Sequence, residues 1–145
     1  MSVFFPPASL LSWLSQMYGD APLLLTPWVL LFDFDDPAAS VPVVRTTQIV
    51  ANADFVGLAF SSRAANFEAL NDSTIQFMDA ATGEQFFNDP LATPNLCAPG
   101  ANSSTCYPRL IEGNTAIVAT LTPNAAFTQT SVMIGYQGFL IRGFN

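Results

Sequence analysis

The chain has 145 residues, half of them hydrophobic, enough to fill one domain with its own core and too many for a disordered chain. Charged residues make up only 10% of it, against about 25% in soluble domains, and there is neither Lys nor His. A net charge of −7 with four scattered arginines (Arg45, Arg63, Arg109, Arg142) excludes nucleic acid and anionic membrane surfaces as partners, since clustered Lys and Arg begin both contacts.

Residues 1–27 read as an N-terminal arm and residues 28–145 as one β-rich domain. Pro6 and Pro7 hold the first residues extended. Ala8 to Tyr18 has the spacing of a short helix: Leu10, Leu11, Leu14, Met17 and Tyr18 share one side, and Ser9, Ser12, Ser15 and Gln16 the other. Pro7 suits its first turn and Gly19 its stop. Asp20 is the sole charge before residue 33. An arm so poor in charge either docks on a neighbouring subunit or packs on its own domain. On the first reading Phe4, Phe5, Leu10, Trp13 and Leu14 form the partner interface.

From Trp28 onward the pattern becomes that of strands. Trp28 to Asp35 is an apolar run, and Val41 to Val50 is β-branched, with Pro42 confining its start to an edge or first position. Phe55 to Phe60 is a third candidate. Thr74 to Asp79 alternates, with Ile75 and Phe77 on one face; Ala80 to Gly83 reads as a tight turn, and Glu84 to Phe87 as the returning strand. Thr115 to Leu121 alternates again, with Ile117, Ala119 and Leu121 together. Ser131 to Tyr136 and Phe139 to Arg142 read as two last strands joined near Gln137-Gly138. Ser61 to Leu70 reads as a short helix, and Asp89 to Pro108 as the main loop, rich in proline. The sum predicts a mainly β fold: a single compact β-barrel or β-sandwich with an extended N-terminal arm carrying a short helix.

Chemistry has few groups to work with. Without His there is no Ser-His or Cys-His nucleophile and no imidazole metal ligand; without Lys there is no Schiff base. Asp33, Asp35 and Asp36 form the one acidic cluster, and Pro37, Ala38 and Ala39 after it offer no side-chain oxygens to a calcium loop. It reads as a solvated strand end. No catalytic residue, cofactor or metal site is expected. Cys97 and Cys106 lie in the main loop and either remain free thiols or form a disulfide, which would contribute about 2–3 kcal/mol by the loop-entropy estimate. A disulfide would imply exposure to an oxidising environment. The N-terminus carries no Lys or Arg before its apolar residues, so no secretory signal is expected, and Ala21 to Phe34 is too short and proline-broken to span a membrane.

The scarcity of charge leaves a surface of Ser, Thr, Asn, Gln, Ala and apolar side chains. Such a surface suits a protein covered by neighbours; compositional drift is the other source. The combination of apolar arm, compact β domain, missing catalytic groups and missing export signal resembles small structural proteins of tailed-bacteriophage particles, either capsid cement (decoration) proteins or small tail and baseplate proteins. The stretch Leu31 to Arg45 looks like the opening strands of some phage tail modules. The resemblance implies a virion location, a homo-oligomer, and the major capsid protein or other virion proteins as partners, with no enzymatic activity. Two other readings are a β-sandwich module for carbohydrate or receptor, with its contacts around Asp89 to Tyr107, and an enzyme with a carboxylate-only site at Asp33 and Asp35.

Overall fold

The computed structural model describes residues 8–19, 22–35, 37–64, 72–96, 102–128 and 130–143, with backbone alone for residues 8, 9, 95 and 102–108. A helix α1 (Ala8–Tyr18) precedes β1 (Leu24–Phe34), β2 (Val43–Gln48), β3 (Asp54–Ala64), β4 (Ser73–Asp79), β5 (Leu91–Ala92), a single-turn α2 (Thr93–Leu96), β6 (Asn102–Ile111), β7 (Ala116–Pro123) and β8 (Val132–Arg142). No described helix is long and apolar enough to cross a membrane.

Two antiparallel four-stranded sheets, β1-β8-β3-β6 and β2-β7-β4-β5, pack face to face as a β-sandwich. The strands pair as 1 with 8, 2 with 7, 3 with 6 and 4 with 5. The chain is thus one long hairpin, β1 to β4 running back against β5 to β8, rolled so that β8 also meets β3 and β7 meets β4. All links between strands change sheet except that from β4 to β5. This eight-stranded order is that of a jelly roll, not of a closed barrel.

Alternation in the sequence places the core. Leu30, Phe32 and Phe34 of β1, Ile75 and Phe77 of β4, Ile117, Ala119 and Leu121 of β7, and Val132, Ile134, Tyr136 and Leu140 of β8 fill the space between the sheets. Successive core residues are two apart along each strand, with one of the opposite face between them, except that Gly138 takes the inward position between Tyr136 and Leu140. Phe60, Tyr136, Phe77 and Phe86 form an aromatic stack at its centre: the Phe60 and Tyr136 rings lie 4.3 Å apart and 4° from parallel, and Phe77 lies 5.0 Å from Phe60 and 5.7 Å from Phe86.

Left-handed residues mark the turns. Gly19 (φ 70°) ends α1, its N–H donating to Ser15 O at 2.9 Å. Asn52 (φ 66°) turns β2 into β3, and Asn114 (φ 60°) turns β6 into β7. Gly83 (φ 74°) closes the turn after β4.

Four expectations change. Residues 61–64 continue β3, because Ser61, Ser62, Arg63 and Ala64 pair with Gly135, Ile134, Met133 and Val132; the small residues that suggested a helix fit a strand wedged between neighbours, and residues 65–70 lie outside the described residues. The two last strands are one. Gly138 is not a turn: it sits opposite Gly57, where a Cβ would come 1.8 Å from Val56 O, so the two strands approach too closely for any side chain. The returning strand at 84–87 is reduced to the bridge Met78↔Gln85, with Phe86 N–H still donating to Phe77 O at 2.9 Å. The main loop contains β5, α2 and the first seven of the ten residues of β6.

Candidate interaction surface

The outer face of the first sheet is built from β1, β8 and β3, and their register sets its rows. Asp33, Met133 and Arg63 form one row; Leu31, Gly135 and Ser61 the next; Val29, Gln137 and Ala59 the third. Pro27, Phe139 and Val56, then Leu25, Ile141 and Asp54, complete it. Helix α1 lies over the last two rows. Leu10 and Leu14 are 3% and 1% exposed there, in a second apolar cluster with Val56, Phe139 and Ile141; Trp13, Tyr18, Leu23, Leu25, Leu58 and Leu110 pack around it. Leu10 and Leu14, one helical turn apart, meet the sheet together because their side chains share a face.

The partner interface read from the sequence therefore divides. Leu10 and Leu14 are spent inside the chain, Trp13 is half-buried at the edge of the same cluster, and Phe4 and Phe5 lie outside the described residues. The arm reading is corrected to that extent: α1 packs on its own sheet, because the outer rows at Val56, Phe139 and Ile141 are apolar and need a cover. The chain also enters the sandwich at Leu24, ahead of the expected boundary at residue 28.

What remains exposed on the other half of this face is mainly its β1 side, together with the edge that β1 forms. Val29 and Leu31 are 46% and 55% exposed, on either side of the gap left by Gly135. Leu24 and Trp28 are exposed too, although they have the parity of the core residues. They stay open because β2 meets β1 over its C-terminal half, where Thr47 Oγ1 donates to Leu31 O (2.9 Å) and Arg45 Nε to Asp33 O (2.9 Å). Leu11 and Met17 on the outer flanks of α1 extend the apolar surface. The described charges on this face are Asp33 and Arg63, at its far end, and Asp54, which is tied up under α1.

The edge of β1 does not invite a further strand. Leu31 O and Asp33 O point away from β8 and are already taken by Thr47 and Arg45. Pro27 has the same parity, so its missing N–H falls on the free edge as well. At Leu31 and Asp33 a partner meets the Thr47 and Arg45 side chains instead of free backbone oxygens.

Elsewhere the structure offers little chemistry. Asp33 and Asp35 are both exposed, and Asp36 lies outside the described residues. Among the described residues no group of three or more His, Cys, Asp or Glu could hold a metal. Cys97 is outside the described residues and Cys106 is described by backbone alone, so the disulfide reading lies outside them too. An open depression of ≈470 Å³ lies between the turns at Ala51 to Asp54 and Glu112 to Asn114. Its Asp54 is occupied: the Tyr18 hydroxyl donates to Oδ2 at 2.6 Å and Gly113 N–H to Oδ1 at 2.9 Å. Burial first, then the bond to Asp54, raises the Tyr18 phenol far above its ordinary pKa.

The exposed half-face escapes a sequence reading that takes Trp28 to Asp35 simply as an apolar run. The signal is present: antiparallel sandwich strands alternate, and Trp28 to Phe32, apolar at every position, is apolar on its outer face too. Comparison with protein-family models, with curated proteins and with solved structures gives no match.

Proposed function

We propose that the protein is a non-enzymatic structural component of a virus particle, a cement or decoration protein that bridges neighbouring capsid subunits. The observation that carries this reading is the exposed apolar pair Val29 and Leu31 on the outer face of β1, continuous with the exposed edge residues Leu24 and Trp28. Monomers seldom leave apolar side chains grouped in this way unless something covers them. The jelly-roll order adds an analogy at the level of fold alone: it recurs in viral capsid domains, as well as in lectins and cupins. The cupin alternative lacks support, because the chain has no His to hold a catalytic metal.

Mechanically, the sandwich would sit on the shell by this face. Each large apolar side chain buried there contributes roughly 1.5–3 kcal/mol before the costs of association. The test is mass spectrometry of gradient-purified particles from the source culture, with the chain and its Leu31→Asp variant expressed in parallel. The reading expects the chain in many copies per particle and the variant absent from particles although folded. Finding the chain only in the soluble fraction would overturn it; finding it on tails alone would move it to the tail reading.

A further inference from the structure

We infer that the α1-covered end of the first sheet is an acceptor for an amphipathic helix that copies of this chain exchange: the second occupant is α1 of another copy. The acceptor consists of Val56, Phe139 and Ile141, flanked by Leu25, Leu58 and Leu110. Leu10 and Leu14 fill it, and the Tyr18 hydroxyl bonded to Asp54 at 2.6 Å fixes the helix's C-terminal end. Asp54 is held in turn by Gly113 N–H at 2.9 Å, so the latch is preset on the sheet. These contacts specify a helix and not the chain that supplies it.

Three features favour exchange. First, α1 precedes β1 and joins it through residues 19–23, so it can leave without unthreading any described strand. Second, eleven residues without a charged pair are too short to stay helical alone in water, so α1 forms where an acceptor is open. Third, every copy carries one helix and one acceptor, which lets exchange close into a dimer or ring with no acceptor left empty. A short linker holds the helix near its own acceptor at an effective concentration on the order of mM. Exchange therefore prevails where copies are crowded to that level, or where the linker cannot reach. It does not require a virus particle, and its failure would leave the virion reading intact.

The test shortens the linker of the full chain by deleting Asp20 and Ala21. Analytical ultracentrifugation reads the mass, and amide hydrogen exchange reads residues 10–18. The shortened chain is expected to at least double in mass relative to the parent while α1 stays protected. Adding Leu14→Asp should restore the parent's mass and abolish that protection. A shortened chain with unchanged mass overturns the inference. So does an oligomer that survives Leu14→Asp, which would place the contact on the Leu31 face instead. Should the shortened chain not fold, the unaltered chain at about 1 mM serves. A dimer fraction that rises with concentration and vanishes in Leu14→Asp supports exchange, and one indifferent to Leu14→Asp refutes it.

Discussion

Gly57→Ala tests how the sandwich is built at its centre. Gly57 and Gly138 face each other across β3 and β8, at the register shift between Gly57 and Ala59. The ring of Tyr136 lies in the notch that Gly57 leaves. A Cβ there would stand 1.9 Å from Tyr136 Cζ, 2.1 Å from its hydroxyl oxygen and 2.4 Å from Cε1, so the ring must move. It has nowhere to go: Tyr136 is 1% exposed, stacked on Phe60 at 4.3 Å and edge-on to Phe55 at 5.4 Å and Phe86 at 5.9 Å.

Forcing one carbon into a filled core costs roughly 1–3 kcal/mol, and each aromatic pair pulled apart adds about 0.5–1.5 kcal/mol. The stiffer unfolded chain of the Ala variant returns about 0.4–1 kcal/mol. The balance is a destabilisation of about 3 kcal/mol, or roughly 6–12 °C in Tm for a domain of this size. Urea unfolding followed by circular dichroism measures it. The same substitution made beside Tyr136→Leu should cost about 2 kcal/mol less, because the obstructing ring is gone. A cost under about 0.5 kcal/mol, or one that Tyr136→Leu leaves unchanged, would refute the account of the notch.

Leu14→Ala removes one of the two side chains that seat α1 and should weaken that seat by about 2–5 kcal/mol; amide exchange over residues 10–18 should speed up while that of β8 does not change. Alkaline pH should destabilise the fold. Burial raises the phenols of Tyr18 and Tyr136 above the ordinary 10.0, with Asp54 adding to the shift at Tyr18 and Arg109 opposing it at Tyr136. The folded chain keeps protons there that the unfolded chain releases, so stability is whole below about pH 10 and falls above it, at about 1.4 kcal/mol per pH unit for Tyr136. Urea titrations at pH 9, 10 and 11 read the slope, and Tyr18→Phe should reduce it. Arg45→Ala removes donors to Asp33 O (2.9 Å) and Val44 O (3.0 Å), costing about 1 kcal/mol; light scattering should show more self-association, because it uncovers the edge of β1.

The strands that are legible in the sequence are those with one wet face. Thr74 to Asp79 and Thr115 to Leu121 alternate because their outer sides meet solvent, and both appear within two residues of the expected bounds. The helix Ala8–Tyr18 is legible from its period and from Gly19. Illegible are the places where tertiary packing outvotes the local signal. Ser61 to Ala64 has no strand-forming residues of its own, and β8 imposes the extended backbone. Gly138 reads as a turn until Gly57 is known to lie opposite. The covered face of α1 is equally hidden: Leu10 and Leu14 look alike whether a neighbour or the chain's own Phe139 receives them. The exposed half-face follows from topology, since only the strand order puts Leu31, Gly135 and Ser61 in one row.

The distribution of the few charges helps to separate the two sources of a charge-poor surface. Drift in composition would thin charge without regard to place. Here several of the described charges sit at joints. Arg45 closes the edge of β1, Asp54 ties α1 to the turn at Gly113, Asp79 Oδ1 accepts Ala81 N–H in the turn after β4, and Arg109 bridges Glu84 at 3.3 Å while lying 4.2 Å from the Phe86 ring centroid. Sandwiches commonly guard their edges with Lys, and this chain has none. It guards β1, an edge of the first sheet, with Pro27, Thr47 and Arg45 instead, and one edge of the second sheet is a β5 of only two residues. A chain that defends its edges by other means while leaving Val29 and Leu31 open treats the two surfaces differently. Edge pairing is suppressed where β1 is capped and the apolar face is kept, the arrangement expected under the proposed reading, in which a neighbour covers this face by side-chain contact.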